Sequence, residues 1–147
     1  MVPNRLLRKI VFTLTLSAAA VVGAAEDIAH ERHELMEDVR DATKPVGAMM
    51  KGEKAFDAET LQTSLAFFAE AGEKLGDLVP AGSEGGEAAP AIWEDMGGFK
   101  EQIQMWRDAT AAAIEANPQS LDAARPVVGP VLKSCKGCHD SYRIEDD

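Results

Sequence analysis

The 147-residue sequence contains only two cysteines and three histidines, and both cysteines lie in one short segment near the C-terminus. A structural zinc site takes about four Cys or His ligands, and the chain has no second cluster of these residues. The alternation of apolar and polar residues that indicates β-strands is also missing. The cysteine pair therefore lacks the βαβ surroundings of a thioredoxin-like redox motif.

Basic residues are scarce as well, with 15 Lys and Arg against 25 Asp and Glu. Three of the basic residues and none of the acidic ones lie in positions 1–25, so residues 26–147 carry 12 basic and 25 acidic residues, a net charge of −13. Phosphate backbones and anionic lipid headgroups repel such a chain. The composition therefore argues against nucleic acid and against an anionic membrane as partners.

The two cysteines belong to the pentapeptide Cys135-Lys136-Gly137-Cys138-His139. This pattern is the attachment motif of c-type haem. Thiols three residues apart on a helix share one face, where both can reach the vinyl groups along one edge of a porphyrin. His139 shares that face and can bind the iron. We therefore predict one covalently attached haem c, in preference to a redox disulfide or half of a zinc site.

The N-terminal segment has the order of a secretory signal peptide. Basic residues precede an apolar run of 13 positions, Ile10 to Val22, and the small residues Gly23-Ala24-Ala25 follow it. A membrane anchor, the alternative, needs about 20 apolar residues. We predict a signal peptide over residues 1–25, a single cytochrome domain over residues 26–147, and export to the bacterial periplasm. Export agrees with the motif, because bacteria attach c-type haem outside the cytoplasmic membrane.

Four stretches of the exported part keep the three- and four-residue spacing that places apolar side chains on one face of a helix. We call the residues on this face the seam of each predicted helix. From the first helix to the fourth, the seams are Ile28, Arg32, Leu35, Val39, Ala42, Val46 and Met49; Leu61, Leu65, Phe68, Gly72, Leu75 and Val79; Ile92, Met96, Phe99, Ile103, Trp106, Thr110 and Ala113; and Ala124, Val128, Val131, Cys135, Cys138 and Tyr142. The pattern predicts an all-α fold, an antiparallel four-helix bundle with the haem near the C-terminus of the fourth helix.

Local signals set the helix ends. Asp57 is predicted to cap the second helix, residues 80–90 form the longest linker, and Asn117-Pro118 stops the third helix. Proline inside a helix removes a hydrogen bond, so Pro45 is expected to bend the first helix. For the same reason Pro126 and Pro130 limit the prediction of the fourth helix to the residues from about Val131 onward.

Two residues on the same side of the first predicted helix have further roles open to them. Arg32 either holds a haem propionate, because a buried guanidinium needs an anionic partner, or extends its head to solvent. Met36, one turn later, is either a core residue or an iron ligand. Near the motif, Arg143 follows His139 by one turn and is either a solvated residue or a donor on the histidine side of the haem.

The whole exported part resembles the class II cytochromes c, and the cytochrome c′ family in particular. The residues that carry the resemblance are Arg32, Met36, Lys51-Gly52, Phe56-Asp57, Glu84-Gly85-Gly86, Ile92-Trp93, Phe99-Lys100 and the run from Cys135 to Arg143. The resemblance implies that His139 binds the iron, that the residue at position 36 covers the opposite face, that Arg32 lies near a propionate, and that Arg143 borders the histidine side.

Two functions follow from this resemblance. In one, the iron is five-coordinate and binds small gases such as nitric oxide or carbon monoxide. In the other, a low-spin electron carrier, the iron lies between His139 and Met36. An enzyme such as a peroxidase is less favoured, because no acid–base pair is placed beside the predicted distal face. The redox partner is not identified, and a homodimer through the first two helices is expected from the family and from Phe67, an apolar residue beside the second seam.

Overall fold

A computed structural model describes residues 18–144 of the chain. Its helices are α1 (Ala18–Lys51), α2 (Ala58–Leu75), α3 (Ala91–Glu94), α4 (Met96–Ala116) and α5 (Leu121–Tyr142). Within these residues there is no strand, and no helix is long and apolar enough to cross a membrane. Residues 1–17 of the predicted signal peptide lie outside the described part, whereas residues 18–25 form the first turns of α1.

The four long helices form an antiparallel bundle. The backbone N–H of Asp57 donates to the sulfur of Met49 at 3.2 Å, which joins the end of α1 to the start of α2. Arg32, in the first half of α1, contacts Leu78 just beyond the end of α2. Around the bundle, α2 packs against α1 and α4, and α5 packs closely against α4 but only lightly against α1. The predicted all-α four-helix architecture is confirmed.

The predicted seams form the core of this bundle. Val46 and Met49 of α1 and Leu61 and Leu65 of α2 are fully buried. Each buried aliphatic side chain of this size contributes about 1.5–3 kcal/mol relative to an exposed one. Helical periodicity thus correctly identified the residues that hold the helices together.

Two predicted helix ends are confirmed in atomic detail. The Asp57 side chain accepts a hydrogen bond from the Thr60 N–H at 2.9 Å and caps α2. Asn117 ends α4 in the left-handed region, with φ of 40°. Both residue types favour these positions, because a short polar side chain can replace missing backbone partners or tolerate positive φ.

Two other boundaries differ from the prediction. The second helix ends at Leu75, and Val79 is buried in the following loop instead of on the helix. The predicted third helix is divided in two, because the Asp95 side chain accepts from the Gly98 N–H at 3.0 Å and caps a new helix, α4. This cap separates α3 from α4.

The prediction for the fourth helix was too short, since α5 begins at Leu121 and contains both Pro126 and Pro130. The two prolines are four residues apart and both are exposed, so they lie on the outer face of the helix. The carbonyls that lose their N–H partners, those of Asp122 and Pro126, therefore face water. A missing hydrogen bond costs little where solvent can replace it.

Arg32 attaches the loop between α2 and α3 to α1. Its side chain is 6% exposed, and it donates to the carbonyls of Leu78 at 2.8 Å, Ser83 at 3.2 Å and Gly85 at 2.9 Å. The guanidinium also lies 5.5 Å from the centre of the Trp93 ring, a distance typical of cation–π contacts. Burial lowers the Arg32 pKa, and the charge of Glu84 opposes that shift. The alternative in which this side chain extends to solvent is therefore wrong.

Replacing Arg32 by Met should destabilise the protein by about 3 kcal/mol, because three loop carbonyls lose their donor while the apolar volume is roughly kept. Urea denaturation of the haem-loaded protein measures the change. Arg40→Met on the same helix is the control, since Arg40 is exposed and makes only surface ion pairs. Equal denaturation midpoints for the two variants would contradict the structural role of Arg32.

Candidate haem-binding site

The pentapeptide lies on the last turns of α5, as predicted. Cys135 and Cys138 are free thiols, half-buried against the hydrophobic core. The Cys135 thiol donates to the Val131 carbonyl at 3.4 Å. Because the motif is helical throughout, both sulfurs and the His139 ring emerge within one turn of each other.

The surroundings of these side chains decide their protonation. Burial raises the pKa of Cys138 to about 11, with a further contribution from Cys135, and burial also raises the pKa of Cys135. Partial burial lowers the pKa of His139, and the positive charge of Arg143 lowers it further, against opposing contributions from Glu87 and Asp140. At neutral pH the chain therefore presents two protonated thiols and a neutral imidazole, the form of histidine that binds metal.

The direction of the imidazole follows from its neighbour Gly137. A Cβ atom at Gly137 would lie 3.5 Å from the side-chain oxygen of Gln102, so this side of α5 faces α4. Two residues further along a helix, a side chain is rotated by about 200°. His139 therefore points away from α4, and it is exposed.

These observations test whether the chain fits haem c. Within residues 18–144 the His139 side chain makes no hydrogen bond and no ion pair, so both ring nitrogens are available. Two free thiols stand at the spacing that thioether attachment requires. The donor set and the light packing between α1 and α5 fit the cofactor.

Met36 and Arg32 come from α1, at the same end of the bundle. Met36 is half-buried and packs against the hydrophobic core. The three hydrogen bonds of Arg32 use three of the five N–H groups of a guanidinium. Two N–H groups are left for another acceptor, so the contact with the loop does not exclude a propionate.

Arg143 lies just beyond α5 and pairs with a residue that sequence reasoning missed. Its Nε is 2.9 Å from Oε2 of Glu87, in the loop before α3. The second oxygen of Glu87 is 3.8 Å from Nδ1 of His33 on α1. No sequence signal identifies Glu87, because it is 56 residues from Arg143 and lies in an irregular loop.

Tyr142 fixes the end of α5 on the start of α4. Its hydroxyl donates to Oδ2 of Asp95 at 3.2 Å, while Oδ1 of the same carboxylate caps α4. A Cβ atom at Gly98 would lie 2.6 Å from the Tyr142 hydroxyl oxygen, so this approach requires glycine. The Tyr142 ring also meets the edge of Phe99 at 5.3 Å between centroids. The end of α5, which carries His139, is thereby fixed against the start of α4.

Comparison with known sequences agrees with this site. A cytochrome c′ from Rhodopseudomonas palustris is 37% identical over 141 residues, which cover 89% of this chain and 94% of that protein. A cytochrome c-556 from Agrobacterium tumefaciens is 35% identical over 122 residues, covering 79% of this chain and 94% of that protein. Both similarities extend over almost the full length of the relative.

Solved structures are similar at the level of the fold. The structure of a cytochrome c′ from Rhodopseudomonas palustris matches with a TM-score of 0.77 and 36% identity, over 82% of this chain and 98% of that one. The nitric oxide complex of a cytochrome c′ variant from Alcaligenes xylosoxidans matches with a TM-score of 0.76 and 28% identity, over 83% and 97%. A family model described as Cytochrome C′ matches residues 27–143. With its attachment motif, free thiols and available imidazole, the chain belongs to the cytochrome c′ family and binds haem c.

Proposed function

We propose that this chain is an exported haem c protein in which His139 is the axial ligand of a five-coordinate iron that binds small gases. The observation that carries the proposal is the packing of Met36 against the hydrophobic core, which suits a steric lid better than a free thioether. The solved nitric oxide complex of a similar cytochrome c′ supports gas binding in particular.

Each residue of the site has a defined part in this proposal. Cys135 and Cys138 would hold haem c by thioether bonds, and the neutral His139 would bind its iron. Met36, on α1, would restrict access to the iron to small neutral ligands, and Arg32 would offer its two remaining N–H groups to a propionate. Haem c, when bound, supplies a redox-active iron with a position for one diatomic ligand. Among residues 18–144 we assign no acid–base pair to the distal side, and we therefore infer no acid–base catalysis.

The second candidate is a low-spin electron carrier with His139 and Met36 as the two ligands. Met36 itself favours it, because a methionine opposite histidine is an established pair of haem ligands. The match to Arg32 in the cytochrome c′ pattern favours the first candidate, since this residue can fix the haem without a second iron bond. In either case the redox partner protein is not identified.

The two candidates differ in the spectrum of the ferrous protein. The five-coordinate proposal predicts a high-spin absorption spectrum, and it predicts that Met36→Ala binds carbon monoxide roughly tenfold more tightly, equivalent to ~1.4 kcal/mol of relieved steric hindrance. Met105→Ala is the matched control, because Met105 is exposed on α4. A low-spin wild type that becomes high-spin only in Met36→Ala would establish the electron carrier.

Processing and haem attachment can be tested together. We propose cleavage after Ala25 and a mature periplasmic chain that begins at Glu26, because c-type haem is attached outside the cytoplasmic membrane. Intact-mass analysis of the protein from a periplasmic extract should give residues 26–147 plus one haem. The mass of the bare polypeptide would refute covalent attachment, and retention of residues 1–25 would refute cleavage.

A homodimer through α1 and α2 is the proposed assembly. An open groove of about 470 Å³ lies between these helices, and its lining includes Ala42, Pro45 and the half-buried Phe67. Sedimentation of the haem-loaded protein at high micromolar concentration should show a dimer, and Phe67→Asp should shift it to monomer by placing a charge in the contact. A wild type that remains monomeric would contradict the dimer.

A further inference from the structure

The groove between α1 and α2 contains a buried hydroxyl group. Ser64 lines this groove, although the residue is only 5% exposed. Among residues 18–144, no other group forms a hydrogen bond with its hydroxyl. A buried hydroxyl is costly to leave unpaired. The position of Ser64 therefore points to the polar group of a ligand in the groove.

The charged side chains of the groove are acidic. Asp57 and Glu59 are exposed at the start of α2, and neither forms an ion pair with a residue of the described range 18–144. The described lining also includes Thr60 and Thr63, but no lysine or arginine. Carboxylate and hydroxyl oxygens accept hydrogen bonds from an ammonium group, and the charge of a carboxylate strengthens such bonds. The polar part of the groove thus fits a cation with N–H donors.

The remaining lining adds an acceptor and an apolar wall. Pro45 has no N–H, so the carbonyl of Asp41, one turn earlier on α1, lacks its usual helical partner. Ala42 and the half-buried Phe67 are apolar, and the face of an aromatic ring attracts cations. A metal ion that keeps its water makes no use of such a wall, and residues 18–144 contain no group of three His, Cys, Asp or Glu side chains that could hold a metal. The groove therefore suits an organic cation.

We propose that this groove of about 470 Å³ is a binding site for a small primary alkylammonium ion. The ammonium group donates to the Ser64 hydroxyl and lies near the carboxylates of Asp57 and Glu59. The alkyl chain lies against Ala42 and Phe67. The site does not depend on how the iron is coordinated. It belongs to the same face as the proposed dimer contact, so the ligand and a second copy of the chain compete for it.

Titration of the haem-loaded protein with n-butylammonium chloride tests the site, with the amide resonances of residues 60–67 in NMR spectra as the readout. The protein concentration is one at which sedimentation shows a monomer. The shifts should saturate with a Kd of roughly 1 mM, because a ligand with so few atoms has a limited binding free energy. n-Butanol has the chain without the charge, and ammonium chloride has the charge without the chain, so neither should saturate in this range. Equal shifts with ammonium chloride would reduce the effect to ionic strength and overturn the proposal.

Two variants with a matched control locate the ligand. Ser64→Ala should raise the Kd roughly three- to tenfold through the loss of one hydrogen bond, and alanine suits the interior of a helix. Glu59→Gln should also raise the Kd, because it removes one of the two carboxylates from an exposed position. Glu101→Gln is the control, since Glu101 is exposed on α4 and does not line the groove. An unchanged Kd in Ser64→Ala, or equal weakening by Glu59→Gln and Glu101→Gln, would contradict the site.

The same samples separate this site from the functions proposed above. In a sample that contains dimer, saturating n-butylammonium should shift the sedimentation to monomer. A wild type that stays monomeric at every concentration would refute the dimer, and the titration would still decide on the site. A monomer that shows no saturable binding would refute the site and leave the dimer and the iron coordination untouched.

Discussion

The contact of Arg32 with the loop before α3 is the interaction on which this end of the molecule depends. A buried guanidinium donates to three backbone carbonyls of residues 78–85, so an irregular segment acquires a fixed position against α1. The same loop continues to Glu87, which bridges to the end of α5. One buried cation thereby links α1, which carries Met36, to the helix that carries His139. We infer that the two faces of the haem are held in register through this loop.

Helix α5 combines two requirements that conflict in most helices. The haem motif needs a regular helix, because only there do Cys135, Cys138 and His139 emerge on adjoining faces. The helix nevertheless contains two prolines, and it tolerates them because both lie on the outer face, where water replaces the lost hydrogen bonds. The core face of the helix keeps its apolar side chains and delivers the motif to the bundle.

Periodicity and end signals predicted most of the fold, since most of the seam residues are buried and the helix ends at Asp57 and Asn117 are as expected. The prediction failed at two places where one local signal outweighs another. The Asp95 cap starts a new helix within a continuous apolar seam. The prolines of α5 are tolerated because they are exposed, and their exposure cannot be read from the sequence. The haem motif could be predicted because its residues are adjacent in the sequence. The Arg32 contacts and the Glu87–Arg143 pair could not be predicted, because the residues in contact are 46–56 positions apart and the Arg32 acceptors are backbone carbonyls.

The central claim is that His139 alone binds the iron from the protein side and that Met36 covers the other face without binding. The resonance Raman spectrum of the ferrous, haem-loaded protein tests it most directly, because an iron–histidine stretching band is detected in five-coordinate high-spin ferrous haem and not in a low-spin haem with two protein ligands. Our account predicts this band in the wild type. Its absence in the wild type, together with its appearance in Met36→Ala, would contradict the account and identify Met36 as the sixth ligand.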